Sequence, residues 1–167
     1  GYNYRISELN AAVGVAQLAR LDEFLAIQKK HYSILRNALK DIEGVTFRRF
    51  PEGGEESYAF LNFFLPDEST TKKVHKSFRD AGVDGCFYWF DNNWHYYRKW
   101  EHLTNLKSLG KLPQEVYNQL PDYSKADFSK SDHWIGRTIS CLIKLGWSEN
   151  EVQERASKMA GIIKECL

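Results

Sequence analysis

Apolar residues along the first quarter of the chain return at three- and four-residue intervals: Ile6, Leu9, Val13, Leu18, Leu21, Leu25, Tyr32, Leu35, Leu39 and Ile42. That spacing is the period of a helix. Ser7 supplies an N-cap and Gly44 a stop. The pattern predicts one helix from Glu8 to about Ile42, roughly 50 Å long at the standard rise per residue. Its opening turns, Ala11-Ala12-Val13-Gly14-Val15-Ala16, are small and apolar nearly all round. A helix apolar on every face is buried on every face, so this half is expected to lie against another body. Gly1 is no translational start, and the opening reads as the middle of something longer.

The period then changes. Val45 to Phe50 reads as a short strand, and Tyr58 to Leu65 (YAFLNFFL) as a strongly apolar one closed by Pro66. Thr70 to Ala81 reads as a helix with Val74 and Phe78 inward and Gly82 as its stop, and Val83 to Trp89 as a third strand. Trp94 to Leu109 is aromatic and reads as helical, whereas Lys111 to Lys130, with Pro113 and Pro121, reads as irregular. Ser131 is placed to cap a short helix before a strand from Thr138 to Leu145. Ser148-Glu149-Asn150-Glu151 is a capping box opening a final amphipathic helix to Cys166. Strands separated by a crossover helix predict an α+β fold, a small α/β sandwich rich in helix.

Composition narrows the function classes. Apolar residues make up 43% and charged residues 27%, an ordinary globular mixture. A net charge of +1 with interspersed signs argues against a nucleic-acid partner, whose phosphates demand a basic face. No apolar run approaches the ~20 residues that span a bilayer. Cys86, Cys141 and Cys166 are scattered, without a CxxC pair or histidines at zinc-ligand spacing, which fits a reducing cytoplasm better than a disulfide framework or a metal site. The aromatic content, 14%, is concentrated between Tyr88 and Trp100. His31, His75, His102 and His133 read as surface or helix-face residues, and Cys86 as strand packing.

The opening Gly1-Tyr2-Asn3-Tyr4-Arg5-Ile6-Ser7-Glu8-Leu9-Asn10-Ala11-Ala12, continued by Gly14, Gln17-Leu18 and Leu21-Asp22, resembles a segment of the sugar aminotransferases related to DegT, DnrJ, EryC1 and StrS. In that family the segment follows the lysine that binds pyridoxal 5'-phosphate and starts a long helix linking a large domain to a small one. The resemblance implies that residues 1–44 are the tail of the large domain with the connecting helix, and 45–167 the C-terminal small domain of a fold-type I aminotransferase. A narrower likeness runs through Gly82-Val83-Asp84-Gly85-Cys86-Phe87-Tyr88-Trp89, Asn92-Asn93-Trp94-His95-Tyr96, Pro121-Asp122-Tyr123, Ser131-Asp132 and Arg137-Thr138-Ile139-Ser140. These stretches resemble the subgroup that aminates an 8-oxo derivative of the sugar acid Kdo with L-glutamate as donor. Most of the family carry histidines where Tyr88 and Asn93 stand, a departure that favours the Kdo-type subgroup over nucleotide-linked sugars.

The resemblance implies chemistry in which the cofactor ring serves as electron sink while the protein positions and protonates. It places the cofactor lysine before Gly1, so no catalytic residue is expected here and the chain alone is expected to be inactive. Asn3 and Arg5 become cofactor-binding candidates, reaching the phosphate across a homodimer interface; an amide beside a guanidinium suits a phosphate oxygen. Asn3 reads equally as a loop residue capping a turn, and Arg5 as a partner for Glu8. Tyr88, Trp89, Asn92, Asn93, His95 and Arg137 become substrate-binding candidates, with Trp94 and Tyr96 beside them. Amides bind hydroxyls, aromatic rings cover the C–H face of a sugar, and an arginine clamps a carboxylate. Against this stand a salt-bridge role for Arg137 and a helix face for Trp94, Tyr97 and Trp100. The other readings are transamination of a nucleotide-linked keto sugar and a non-catalytic carbohydrate or protein interaction module.

Overall fold

The computed structural model describes residues 5–54, 56–107 and 109–167, with Ser124 described in its backbone only. Helix α1 (Glu8–Leu18) opens on Ser7, whose hydroxyl accepts the Asn10 N–H at 3.2 Å. Among the described residues it buries nothing: Leu9 is 76% exposed and Val15 and Leu18 about as much. The single long helix is corrected to two. α2 spans Leu21–Leu39, and between them the Arg20 N–H donates to the Gln17 carbonyl three residues back rather than continuing the α ladder. The Arg20 guanidinium lies 4.6 Å over the Phe24 ring and pairs with Glu23 at 3.2 Å, so the residue belongs to the start of α2.

Four strands form one sheet in the order β1-β2-β4-β3, antiparallel throughout: β1 (Thr46–Phe47), β2 (Phe60–Phe64), β3 (Cys86–Phe87) and β4 (Thr138–Leu142). β4 is inserted between β2 and β3, which therefore run in the same direction, joined through α3 (Glu68–Asp80). α3 starts two residues before the expected Thr70 because Asp67 caps it, accepting the Thr70 N–H at 2.7 Å. It ends in Gly82-Val83-Asp84-Gly85, where both glycines take positive φ (71° and 64°), a conformation strained for other residues. The strand expected from Val83 to Trp89 shrinks to Cys86–Phe87, because the Val83 N–H returns to the Phe78 carbonyl and Trp89–Asp91 winds into a 3₁₀ turn.

Alternation along the strands divides the sheet into two faces. Leu61 and Phe63 of β2 and Ile139 and Cys141 of β4 are fully buried on one face. They meet Tyr32, Leu35 and Leu39 of α2, Val74 and Phe78 of α3, and Val152, Met159 and Ile163 of α7 (Glu149–Cys166). The core thus takes in residues on both sides of position 44. α7 carries the expected capping box, Ser148 with Glu151. His31, read as a surface or helix-face residue, lies on the buried face of α2; its Nδ1 is 3.1 Å from the Lys144 carbonyl, which the end of β4 leaves unpaired with another strand.

The segment from Trp94 to Leu109 is not one helix. It forms a 3₁₀ turn (Tyr97–Lys99) and one helical turn, α4 (Glu101–Thr104), with Leu106 at φ 49°. Side chains take the backbone groups a helix would use: the Trp94 N–H donates to Asn92 Oδ1 at 2.9 Å and the Trp100 indole to the Asn93 carbonyl at 2.5 Å. α5 (Gln114–Tyr117) lies in the irregular stretch, and α6 (Ser129–Ile135) begins before Ser131.

Candidate active site

Residues 87–96 come off the short strand β3 with their rings sorted to two sides. Phe87 and Trp89 point to the uncovered face of the sheet, stacked at 4.7 Å and 11°. His95 meets Trp89 edge-on at 4.4 Å, and Phe60 of β2 lies 6.3 Å from Phe87. Of these, Phe60, Trp89 and His95, together with Asn62, Trp94 and Ser140, line a cavity of about 480 Å³, and Phe87 backs the wall by stacking on Trp89. Asn62 and Ser140 are direct cross-strand partners, so an amide and a hydroxyl form its polar floor. Trp94, 72% exposed, stands at its rim.

Tyr88, Phe90 and Tyr96 turn the other way and stack in series, with centroids 5.6 and 4.7 Å apart. Tyr88 is buried and donates its hydroxyl to the Gly136 carbonyl at 2.8 Å; burial pushes its pKa well up. Tyr96 donates to Asp132 Oδ1 at 3.0 Å, and its pKa is pushed up to about 12 by burial and by that carboxylate. Asp132 is held below the usual carboxylate range by its hydrogen bonds from Arg98 and then Tyr96, despite the opposing effect of burial. This stack ties the loop to α6 and fixes the first one over the sheet.

The structure therefore brings together Trp89, His95 and Trp94 and adds Phe60, Asn62, Phe87 and Ser140, which the sequence reading missed. The signal was present in the alternation of YAFLNFFL, where Asn62 is the one polar residue among apolar ones and falls on the outward register. Asn92 is half-buried and used as the turn acceptor for Trp94, and Asn93 is exposed with its carbonyl taken by Trp100. Tyr88 packs inside rather than lining the cavity. Arg137 stands apart: its Nε donates to the Leu65 carbonyl at 2.6 Å and Nη1 lies 2.6 Å from His133 Nε2. It lines a separate cavity of about 510 Å³ with Asp67, Glu68 and Asp132, whose carboxylates disfavour a second anion. Arg5 is exposed just before α1, and Asn3 lies outside the described residues.

Among the described residues, no group of three or more His, Cys, Asp or Glu side chains could hold a metal, and no helix is long and apolar enough to cross a membrane. The side chains lining the cavity do not fit a covalently held pyridoxal phosphate, because no lysine is among them. Lys30, Lys72, Lys76, Lys107 and Lys144 pair with carboxylates elsewhere, and Lys73 donates to the Cys166 carbonyl.

The sequence is 39% identical over 57 residues to the lipopolysaccharide biosynthesis protein RfbH of Salmonella typhimurium, covering 34% of this chain and 13% of that protein. It is 42% identical over 55 residues to 3-amino-5-hydroxybenzoate synthase of Amycolatopsis mediterranei, covering 33% and 13%. It is 27% identical over 86 residues to GDP-4-keto-6-deoxy-D-mannose 3-dehydratase of Escherichia coli, covering 50% and 22%. These matches span less than a quarter of each relative's length. The fold superimposes on the crystal structure of 3-amino-5-hydroxybenzoic acid synthase with a TM-score of 0.63 and 23% identity, over 99% of this chain and 41% of that one. It superimposes on the aminotransferase TlmJ of Streptoalloteichus hindustanus with a TM-score of 0.60 and 18% identity, over 93% and 36%. The sequence model of the DegT/DnrJ/EryC1/StrS aminotransferase family matches residues 1–160, and the chain belongs to that family.

Proposed function

We propose that this chain is the small-domain part of a pyridoxal phosphate-dependent sugar aminotransferase. The complete protein moves the amino group of L-glutamate to an 8-oxo derivative of Kdo, giving 8-amino-3,8-dideoxy-manno-octulosonate for lipopolysaccharide. It works as a cytoplasmic homodimer with a shared active site. The cofactor, which supplies the electron sink for transfer of the amino group, is held by residues outside the described ones, Asn3 and Arg5 assisting at its phosphate.

The observation that carries this reading is the cavity on the uncovered sheet face, with an aromatic wall and a polar floor. Trp89 offers a flat surface to the C–H face of a sugar ring, and Phe60 and Phe87 extend it. The Asn62 amide and Ser140 hydroxyl hydrogen-bond sugar hydroxyls, and His95, seated against Trp89, supplies a third polar contact. Trp94 closes over the substrate and keeps water from the reacting carbonyl. These groups bind and orient; none is asked to move a proton. A nucleotide-linked keto sugar is the second reading, favoured by the similarity to the GDP-sugar dehydratase.

The test is a substrate panel with the complete protein, measuring 2-oxoglutarate released from L-glutamate. His95→Ala and Asn62→Ala are each expected to raise KM for the sugar acid about tenfold, the effect of losing ~1.4 kcal/mol of binding. The half-reaction with glutamate should be untouched. An unchanged KM in both variants removes the cavity from the substrate site; turnover of the nucleotide sugar alone selects the second reading. Asn3→Ala should weaken cofactor retention, and unchanged retention removes Asn3 from the phosphate site.

A further inference from the structure

Beneath β3, on the side away from the aromatic platform, two thiols face each other. Cys86 of β3 and Cys141 of β4 are direct cross-strand partners. Gly85 and Leu142, the preceding pair in register, are joined by the Leu142 N–H to the Gly85 carbonyl at 2.8 Å. Hydrogen-bonded and non-hydrogen-bonded pairs alternate along an antiparallel ladder, so Cys86 and Cys141 form a non-hydrogen-bonded pair. The β2 side agrees: Leu65 donates to the Arg137 carbonyl and Ile143 to the Ala59 carbonyl, which puts the Leu61–Cys141 pair among the hydrogen-bonded ones and turns Cys141's backbone groups toward β2. A non-hydrogen-bonded pair brings the Cα atoms to about 4.5 Å, within the range of about 4.4–6.8 Å that a disulfide spans. Both side chains lie on the core face, Cys141 fully buried and Cys86 partly so.

The surroundings distinguish the two sulfurs. The Arg155 guanidinium of α7 reaches Cys86 Sγ at 3.6 Å, is held in place by Asp84 at 2.9 Å and stacks on Trp147 at 4.8 Å. A hydrogen bond from the Cys141 thiol pulls Cys86 below the usual thiol value, with Arg155 adding to the effect against the cost of burial. Burial pushes Cys141 the other way, as does its contact with Cys86. Cys86 also borders a surface groove of about 260 Å³, lined by Arg79, Gly82, Val83, Asp84 and Gly85, through which a small oxidant can approach.

We propose that Cys86 and Cys141 are an oxidation site at which hydrogen peroxide converts the two thiols to a cross-strand disulfide. The Cys86 thiolate attacks one oxygen of the peroxide; the O–O bond breaks, sulfur is oxidised to the sulfenic acid, and the other oxygen leaves as hydroxide. Cys141 gives its proton to that hydroxide and attacks the Cys86 sulfur, the S–O bond breaks, and the departing hydroxide takes the Cys86 proton equivalent from solvent as water. Two thiols and one peroxide thus give one disulfide and two waters. The bond ties β3 to β4 immediately before Phe87 and Trp89, and a small-molecule dithiol reverses it.

The experiment is to treat the reduced, folded protein with equimolar hydrogen peroxide, block remaining thiols by alkylation and map the peptides. The expected product is a single disulfide joining the peptides of Cys86 and Cys141, with Cys166 still reduced. Cys141→Ala should instead accumulate a Cys86 sulfenic acid that dimedone traps, and Cys86→Ala should abolish both products. Arg155→Met should slow oxidation of Cys86 severalfold. Oxidation of Cys166 while the other two stay reduced overturns the proposal. So does a Cys86–Cys141 bond that forms only in denaturant, or a Cys141→Ala variant, folded by near-UV circular dichroism, that yields no dimedone adduct.

Discussion

The two faces of the same strands have opposite fates. On one face Leu61, Phe63, Ile139 and Cys141 are sealed by α2, α3 and α7 and reach zero exposure. On the other, Phe60, Asn62 and Ser140 are covered only by a loop of aromatic residues with a cavity beneath it. Pleating supplies two faces of equal area, and what separates them is the chain placed over each. Three long helices bring a continuous apolar surface to the first. The loop from Trp89 to His95 brings the Trp89 ring with His95 edge-on against it, and a cavity of about 480 Å³ remains between them and the sheet. A face that mixes Phe with Asn and Ser seals less tightly than an all-apolar one and leaves polar groups lining a cavity.

The sharpest way to break this comparison is a matched pair of truncations. Phe63→Ala should cost about 3–5 kcal/mol of folding stability, as for other buried aromatics, whereas Phe60→Ala, three strand positions away on the other face, should cost clearly less. Denaturant midpoints check it; equal losses would show that the uncovered face is core as well. Next in size is Tyr88→Phe. It keeps the ring and removes the hydroxyl that serves the Gly136 carbonyl, and is expected to cost about 1–2 kcal/mol by leaving that acceptor unpaired. Any change in substrate affinity beyond that of a loosened loop would restore Tyr88 to the cavity lining.

The smallest expected effect is a pH dependence. His75 is half-buried, its Nε2 3.2 Å from the Cys86 carbonyl, and burial holds its pKa below the ordinary 6.5. The unfolded chain therefore binds the proton more readily than the folded one. Stability from this group is full above pH 6.5 and is lost as pH falls through the folded-state value. His75→Gln should flatten the acid side of a plot of Tm against pH from about that point downward, and an unaltered slope would assign the acid loss to other groups.

Much of the covered face was legible before any coordinates. Val74 and Phe78, the capping box at Ser148 and the strand around Leu61 and Phe63 follow from periodicity and local hydrogen-bonding rules, because each depends on neighbours a few residues away. The α+β class and the family resemblance rested on the same local signals. The uncovered face was half legible: Trp89, Trp94 and His95 stood out by composition, but Asn62 and Ser140 joined the cavity lining only when two strands far apart in sequence were placed in register. The break at Ala19–Arg20 carries no Gly or Pro to announce it. The assignment of Tyr88 and Arg137 to packing depends on the Gly136 and Leu65 carbonyls they satisfy, which no local pattern names.

The sequence by itself therefore determined α3, α7, the central strand around Leu61 and Phe63 with their apolar faces, and the chemical character of the loop from Tyr88 to Tyr96. It did not determine the break between α1 and α2 or the short turns after Trp94. Only the tertiary structure decided which rings of that loop face the sheet, which pack against α6, and that Cys86 and Cys141 stand opposite each other. The physical reason is that propensity, capping and periodicity act over one or two turns of chain. Register between β4 and its two neighbours is instead set by the collective burial of residues more than fifty positions apart.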